Sequence, residues 1–301
     1  MSRAQLVCVA FVMVTTSTRA DTRQDCVRDT HDELRISACS EFIRQDKKAA
    51  WAYVNRGIAY SNSGDQERAI ADFTTAVGIN PREVEAYNSR GIAYRRNAHC
   101  DLAIADYDRA IEIRPGDPAY YNNRGVAYSC KLDYRRAIAD YNGAIALNPR
   151  YAEPYMNRGS AYVGKGDYDR AMADYTKAIK IKPGYAEAYY NRGTAYLDNG
   201  DFEHAIPDFS AAIEFDPAHP SAYNNRAWSY FKTGKAAQGL PDAEHSLQLR
   251  PDDAPTLGTR GLIYETLGRP EDAIADFRRA LAIDPNLKES RDALKRLGAS
   301  P

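Results

Sequence analysis

The sequence has few of the residues and motifs that mark enzymes, metal sites or nucleic-acid binders. Its 301 residues include only five histidines and five cysteines, and 40 basic residues almost balance 41 acidic ones. Without a basic stripe or an acidic tract, neither nucleic-acid binding nor disorder is indicated. No H-E-x-x-H, G-x-S-x-G, P-loop or G-x-G-x-x-G motif is present, and the cysteines fit no zinc spacing. We therefore expect no enzyme activity, no cofactor and no metal.

Long apolar runs are also missing, apart from one at the start of the chain. Residues 6–14 (LVCVAFVMV) are apolar, which is too short a run to span a bilayer. A basic residue, Arg3, precedes the run, and Thr18 and Ala20 fit a cleavage site. We predict a signal peptide over residues 1–20, export to the periplasm or the medium, and a soluble mature chain. The alternatives are a frayed terminal helix and an uncleaved anchor.

The rest of the sequence is dominated by an internal repeat. The phrase Asn-Arg-Gly-Ile-Ala-Tyr at residues 55–60 recurs with small changes at a fixed spacing of 34 residues. Seven consecutive units without insertions therefore occupy residues 50–287. The other copies lie at 89–94, 123–128, 157–162, 191–196, 225–230 and 259–264.

Each unit has the pattern of two amphipathic helices. Counting from Ala50 as position 1, Tyr fills position 4 in six units, Gly position 8 in six, and Tyr position 11 in all seven. Ala fills position 20 in six units and an aromatic residue position 24 in six. The residues at positions 4, 8 and 11 share one face of the first helix, and those at positions 20 and 24 share one face of the second. We expect both faces to pack in a core. Gly at position 15, Asp at 16 and Pro at 32 predict a helix end, a helix start and the end of the unit.

This combination of residues resembles the tetratricopeptide repeat family. The resemblance covers about four fifths of the chain and implies an all-α, right-handed superhelical solenoid of antiparallel helix pairs. It also implies that the first helix of each pair lines a concave face. We expect residues 21–49 to form a degenerate half-repeat, and residues 288–301 to form a capping helix and tail.

Two charged columns accompany the repeat. Arg occupies position 7 and Asp position 23 in all seven units, from Arg56 and Asp72 to Arg260 and Asp276. Because the two columns match one for one, we favour ion pairs that join the two helices or adjacent repeats. The alternative is a charged track for a ligand.

The four cysteines outside the predicted signal peptide suggest two disulfides. Cys26 and Cys39 fall on positions 11 and 24 of the degenerate unit, where complete repeats carry the aromatic residues. Cys100 and Cys130 lie at neighbouring ends of two successive helices. We predict the pairs Cys26–Cys39 and Cys100–Cys130, as an even count in an exported chain favours. Free thiols, a metal site and a redox pair are the alternatives.

Asparagine recurs on the face opposite to the core positions of the first helix. An asparagine column on a concave surface looks like the asparagine ladder of the O-linked N-acetylglucosamine transferase repeats. The resemblance implies amides that hold the backbone of an extended peptide, since each amide has donors and an acceptor. The alternative is that these amides only solvate the helix or bond to their neighbours. No unit pairs Lys at position 5 with Asn at position 9, as the family's chaperone-binding carboxylate clamps do. The column at position 6 comprises Asn55, Asn123, Asn157, Asn191 and Asn225.

The same face of repeats five and six carries large apolar side chains, which often mark a binding site. Repeat six also departs from the pattern, with Ala243 in place of the aromatic residue and Pro241 inside its second helix. An unfilled gap there would provide a hinge or a recess, unless Trp228 folds inward to fill it. The four apolar side chains are Tyr190, Leu197, Trp228 and Phe231.

These features lead to one functional hypothesis and one alternative. We expect an exported scaffold that binds an extended segment of a partner protein in its concave groove. The alternative is a structural subunit of an envelope assembly that uses its convex face or its ends. The sequence identifies neither the partner nor the oligomeric state.

Overall fold

The computed structural model describes residues 19–28 and 31–300, and these residues form 17 helices and no strand. The predicted signal peptide lies outside the described residues up to residue 18, so it stays a prediction. None of the described helices is long and apolar enough to cross a membrane. The all-α architecture confirms the predicted fold class. The chain forms two compact units, one ending at Ala127 and the other beginning at Tyr128.

The helices follow the repeat closely. In every repeat a first helix of 13 residues is followed by a second helix of 14. The helices are α1 (Arg19–Arg28), α2 (Asp32–Gln45), α3 (Ala50–Asn62), α4 (Gln66–Ile79), α5 (Val84–Arg96), α6 (Cys100–Ile113), α7 (Pro118–Cys130), α8 (Tyr134–Leu147), α9 (Ala152–Gly164), α10 (Tyr168–Ile181), α11 (Ala186–Asp198), α12 (Phe202–Phe215), α13 (Pro220–Lys232), α14 (Ala236–Leu249), α15 (Ala254–Thr266), α16 (Pro270–Ile283) and α17 (Lys288–Arg296).

The second helices begin where the sequence predicts. A carboxylate at position 16 accepts a hydrogen bond from the backbone N–H three residues later, which satisfies one of the donors that a helix start leaves unpaired. This N-cap is present at Asp65, Asp133, Asp167 and Asp201.

Glycine at position 8 is required by the aromatic residue at position 24. A Cβ atom on Gly193 would lie 2.9 Å from the Phe209 ring, and one on Gly57 would lie 2.7 Å from the Phe73 ring. Both rings are fully buried. The two helices of a repeat therefore approach closely because the glycine leaves room for the ring.

Repeat six follows the same packing rule with different residues. Where Ala243 replaces the ring, position 8 becomes Ala227, and Gly239 then makes the close approach, since its Cβ would lie 2.8 Å from the Ala227 carbonyl oxygen. The fully buried Ile263 of the next repeat packs with Ala227 and Ala243. Ile263 thus occupies the space beside Ala243. The sequence had suggested a hinge, a recess or an inward-folded Trp228 at this place.

The buried Arg–Asp pairs confirm the structural interpretation of the two charged columns. Each pair is bidentate, as between Arg192 and Asp208, where the Nε–Oδ2 and Nη2–Oδ1 distances are 2.8 and 2.7 Å. Only 18% of the Arg192 side chain and 7% of the Asp208 side chain are exposed. Six such pairs join the two helices of one repeat: Arg56–Asp72, Arg90–Asp106, Arg158–Asp174, Arg192–Asp208, Arg226–Asp242 and Arg260–Asp276.

The same arginines also reach the preceding repeat, where position 25 carries a hydrogen-bond acceptor. Arg90 Nη1 donates to Thr74 Oγ1 over 3.1 Å, and Arg226 Nη1 donates to Ser210 Oγ over 3.0 Å. One guanidinium group therefore connects three helices from two repeats.

Both ends of the repeat array carry additional helices. The segment expected to be a half-repeat contains two helices, α1 and α2, which pack on each other and on α3. Cys26 and Cys39 form a disulfide between α1 and α2, with a Cα–Cα distance of 4.7 Å. At the other end, α17 buries Leu294 against the last repeat. The pairing of Cys100 with Cys130 stays a prediction.

Two repeats end their first helix without the glycine that the others use. Position 15 has a left-handed φ of 77° at Gly200, and Ala98 and Leu132 adopt a φ of 59° at the same position. This conformation crowds the Cβ of any residue other than glycine. These two turns therefore carry local strain.

Replacing Leu132 with glycine should stabilise the protein. The Leu132 side chain is 71% exposed, so the change relieves the strained φ with little loss of burial, worth about 1 kcal/mol. The reverse substitution, Gly200→Leu, should lower the stability by a similar amount. Urea unfolding followed by circular dichroism measures both, and a lower midpoint for Leu132→Gly would contradict the expectation.

Loss of one buried Arg–Asp pair should cost far more than loss of an exposed pair. Arg192→Gln leaves the buried Asp208 carboxylate without its guanidinium, for which we expect a loss of about 3 kcal/mol. Arg170→Gln removes an exposed arginine that pairs with Asp167 and should leave the midpoint of urea unfolding almost unchanged. Equal shifts for the two variants would show that the buried pairs have no special role.

Candidate functional site

The polar side of the first helices forms a continuous surface within each unit of the chain. In the unit that ends at Ala127, α3 contacts α1 and α5. In the unit that begins at Tyr128, α9, α11, α13, α15 and α17 contact one another in succession. We call the surface made by positions 2, 5, 6, 9, 12 and 13 of these helices the inner face. All candidate binding residues from the sequence lie at these positions of the first helices, and Asn123 does so on α7.

The asparagine column is tied to the neighbouring repeat. In three cases the side-chain Nδ2 donates to the residue at position 5 of the preceding repeat, so that the amide bridges two first helices. These asparagines are half-buried. The bonds run from Asn123 to Asn88 Oδ1 (2.9 Å), from Asn191 to Met156 Sδ (3.4 Å) and from Asn225 to Tyr190 Oη (3.4 Å).

The column is not uniform along the array. Asn55 donates to the carbonyl oxygen of Trp51 in its own helix over 2.8 Å, and Asn157 is half-buried at the same repeat position. Of the two interpretations left open by the sequence, bonding to neighbours therefore describes Asn123, Asn191 and Asn225. Each of these bonds uses one N–H, and a primary amide also has a second N–H and a carbonyl oxygen.

Tyr190 is the centre of an aromatic cluster at the start of α11. Its ring lies 4.4 Å from the ring of His219 and 5.9 Å from that of Phe209. His219 also caps α13, where its Nδ1 accepts from the N–H of Ala222 over 3.2 Å. Because Asn225 of the next repeat also donates to its hydroxyl, Tyr190 is held between two successive repeats.

A wide, open recess of about 530 Å³ lies beside Tyr190. Tyr190 and Asn191 line it together with Lys182, Glu187 and His219. The recess thus presents an aromatic ring, an amide and charges of both signs. Burial, together with Glu187 and Glu153, raises the pKa of Tyr185 at its edge, so this hydroxyl stays protonated.

Trp228 and Phe231 form a second cluster further along the inner face. Their rings lie 5.5 Å apart, and the Nζ of Lys232 lies 5.4 Å from the Trp228 ring. Phe231 also packs against the core of repeat six. Trp228 stays half-buried on the inner face, and Leu197 is half-buried at position 12 of α11.

A smaller recess, which the sequence did not suggest, lies on the inner face of repeats one and two. It has a volume of about 130 Å³ and is lined by Ile58, Ser61, Asn62, Phe73, Ser89, Ile92 and Arg96. Two departures from the repeat mark it in the sequence: serine in the asparagine column and an Arg95–Arg96 doublet at positions 12 and 13. Either departure could have drawn attention to this site.

The described residues contain no group of three or more His, Cys, Asp or Glu side chains that could hold a metal ion. What the inner face offers instead is hydrogen-bonding amides, aromatic rings and isolated charges. These groups can bind a polypeptide without any chemical step.

Comparisons with known proteins agree with the geometry of the helix pairs. Family models of the tetratricopeptide repeat, or TPR repeat, match residues 54–118, 133–166, 159–200, 186–219 and 254–287, which together exceed half of the chain. No curated protein gives a significant match.

Several solved structures share the fold. YrrB, described as a TPR protein with an unusual peptide-binding site, is 23% identical over 63% of this chain and 97% of its own, with a TM-score of 0.55. The APC/C hetero-tetramer Cut9–Hcn1 is 18% identical over 92% of this chain and 54% of its own, with a TM-score of 0.67. PilF of Pseudomonas aeruginosa is 17% identical over 72% of this chain and 100% of its own, with a TM-score of 0.65. At these identities the likeness concerns the fold alone.

The 34-residue period, the helix pairs and the family models thus agree, and the chain belongs to the tetratricopeptide repeat family.

Proposed function

We propose that this protein is an exported scaffold that binds an extended segment of a partner protein on its inner face. The observation that carries the proposal is the row of half-buried amides at Asn157, Asn191 and Asn225, with Tyr190 and Trp228 on the same face. This arrangement combines groups that recognise a peptide backbone with apolar surface that can hold side chains.

The bonds between repeats support the amides in this role. Because Asn191 and Asn225 each donate one hydrogen bond to the preceding repeat, their orientation is fixed before a ligand arrives. A preorganised group loses less conformational entropy on binding. The second N–H and the carbonyl oxygen of each amide can then pair with the N–H and C=O groups of an extended chain, whatever its side chains.

The fold and the site chemistry favour binding over catalysis. YrrB, which shares the helix-pair fold, is described as having a peptide-binding site. The inner face carries amides, aromatic rings and single charges, and the sequence has none of the H-E-x-x-H, G-x-S-x-G, P-loop and G-x-G-x-x-G motifs. The groups that a peptide-binding role requires are therefore present on the inner face.

Export is supported by the start of the chain and by the disulfide. The apolar run at residues 6–14 has the length of a signal-peptide core. The Cys26–Cys39 bond suits an oxidising compartment outside the cytoplasm. The two features are independent of each other.

The inner-face proposal predicts that replacing the amides weakens partner binding. Asn157, Asn191 and Asn225 should be changed together to serine, the residue that repeat two carries at the same position. We expect partner capture from an envelope extract, quantified by mass spectrometry and then by titration of the captured protein, to weaken at least tenfold. Thermal unfolding checks that the variant is folded.

The matched control changes three exposed polar residues of the second helices in the same repeats, namely Lys177, Glu214 and Gln248, also to serine. This variant should bind as the wild type does. A partner that is retained by the inner-face variant and lost by the control would instead favour the structural-subunit hypothesis, in which the outer surface makes the contacts.

The export proposal predicts a mature chain that begins at Asp21. N-terminal sequencing of the protein recovered from the periplasm or medium of a bacterial host measures this directly. Ala20→Trp should block cleavage, because signal peptidase sites need a small residue at this position. Recovery of an uncleaved chain from the cytoplasm would contradict the prediction.

A further inference from the structure

We propose that the small recess on the inner face of repeats one and two binds a peptide residue with an aliphatic side chain that stands next to an acidic residue. The juxtaposition of Ile58, Ile92 and Phe73 with the guanidinium of Arg96 carries this inference. It rests on the proposed function, because it assigns a ligand chemistry to one part of the same face.

The recess lies where repeat two breaks the asparagine column. At the corresponding position, Asn123 and Asn225 extend toward the preceding repeat and bond to its position 5. Ser89 carries a hydroxyl group where asparagine has a larger carboxamide, and it lines the recess together with Phe73, a fully buried ring. The smaller side chain leaves more room between α3 and α5 at this position.

Its size and walls suit one aliphatic side chain. The volume of about 130 Å³ is well below the roughly 300–1,000 Å³ of pockets that hold whole small molecules, so the recess suits a single side chain. Ile58 and Ile92 provide apolar walls, so that burial of such a side chain is favourable.

The rim of the recess is positively charged. Arg96 is exposed, and its Nη1 donates to the carbonyl oxygen and the Oγ of Ser61 over 3.2 and 2.9 Å. These bonds hold the guanidinium beside the recess, and its remaining N–H groups can receive a carboxylate. The seven residues that line the recess include no acidic side chain.

Two acidic side chains in this part of the chain already have partners. Asp32 accepts a hydrogen bond from Asn62 over 3.2 Å and lies 4.0 Å from Arg35. At the other end of α5, Glu85 pairs with Arg114 over 3.0 Å. These two carboxylates are therefore engaged elsewhere.

The test measures binding of a fluorescein-labelled, terminally blocked peptide, Gly-Ser-Asp-Leu-Asp-Ser-Gly, to the full chain by fluorescence anisotropy. Two comparison peptides replace the aspartates with asparagine or the leucine with alanine. We expect the parent peptide to bind at least fivefold more tightly than either. Its affinity should also fall as salt is raised, because the carboxylate contact is screened.

Two variants locate the binding. Ser89→Asn restores the repeat residue and places a larger side chain at the recess, and Arg96→Gln removes the charge while keeping a polar side chain. Each should weaken the parent peptide at least fivefold. Arg135→Gln, which removes an exposed arginine from the start of α8, is the matched control and should have no effect.

The inference is overturned if the parent peptide fails to bind, if it binds no better than both comparison peptides, or if Ser89→Asn and Arg96→Gln bind it as the wild type does. The proposed function is tested separately by partner capture with the triple serine variant of α9, α11 and α13. Loss of capture in that variant, together with failure of the peptide, would leave the scaffold function intact and reject only the ligand chemistry assigned to this recess.

Discussion

The guanidinium at position 7 of each repeat is the group on which the arrangement of the helices depends most directly. Arg90, for example, forms two hydrogen bonds with Asp106 of its own repeat and one with Thr74 of the preceding repeat. Because the guanidinium group is planar and its N–H donors point in fixed directions, it fixes the register of three helices at once. A buried ion pair is a weak source of net stability, because desolvation offsets the attraction. We interpret the column chiefly as a device that specifies one packing.

A second constraint is the fit between the glycine at position 8 and the aromatic ring at position 24. Repeat six shows that this constraint concerns the available space rather than the residue type. Gly193 is needed because Phe209 lies against it, and where the ring is missing the glycine moves to the partner helix as Gly239. The volume that Ala243 leaves is filled by Ile263 from the next repeat. Close packing is thus preserved by three coordinated changes, as the high density of protein interiors requires.

The proposed binding surfaces arise where the repeat is free to vary. Core positions keep their residues because each one contacts the same neighbours in every repeat, whereas the inner face has no such requirement. Ser89 and Phe73 line a recess in repeats one and two, and Tyr190 and Trp228 place aromatic surface in repeats five and six. Departures from the consensus on an otherwise regular scaffold are therefore the places where specificity for a partner can reside.

The repeat, the helix boundaries, the caps and the Arg–Asp columns could all be predicted from the amino-acid sequence, because they follow from a period and from contacts that recur identically. Asp201 caps its helix and Arg192 meets Asp208 as the spacing predicts. Three contacts became visible only in the folded chain. Asn225 bonds to Tyr190, Ile263 rather than Trp228 fills the gap at Ala243, and Arg96 lies beside an open recess. These contacts depend on the lengths of particular side chains in two different repeats. A periodic pattern read one position at a time does not contain that information.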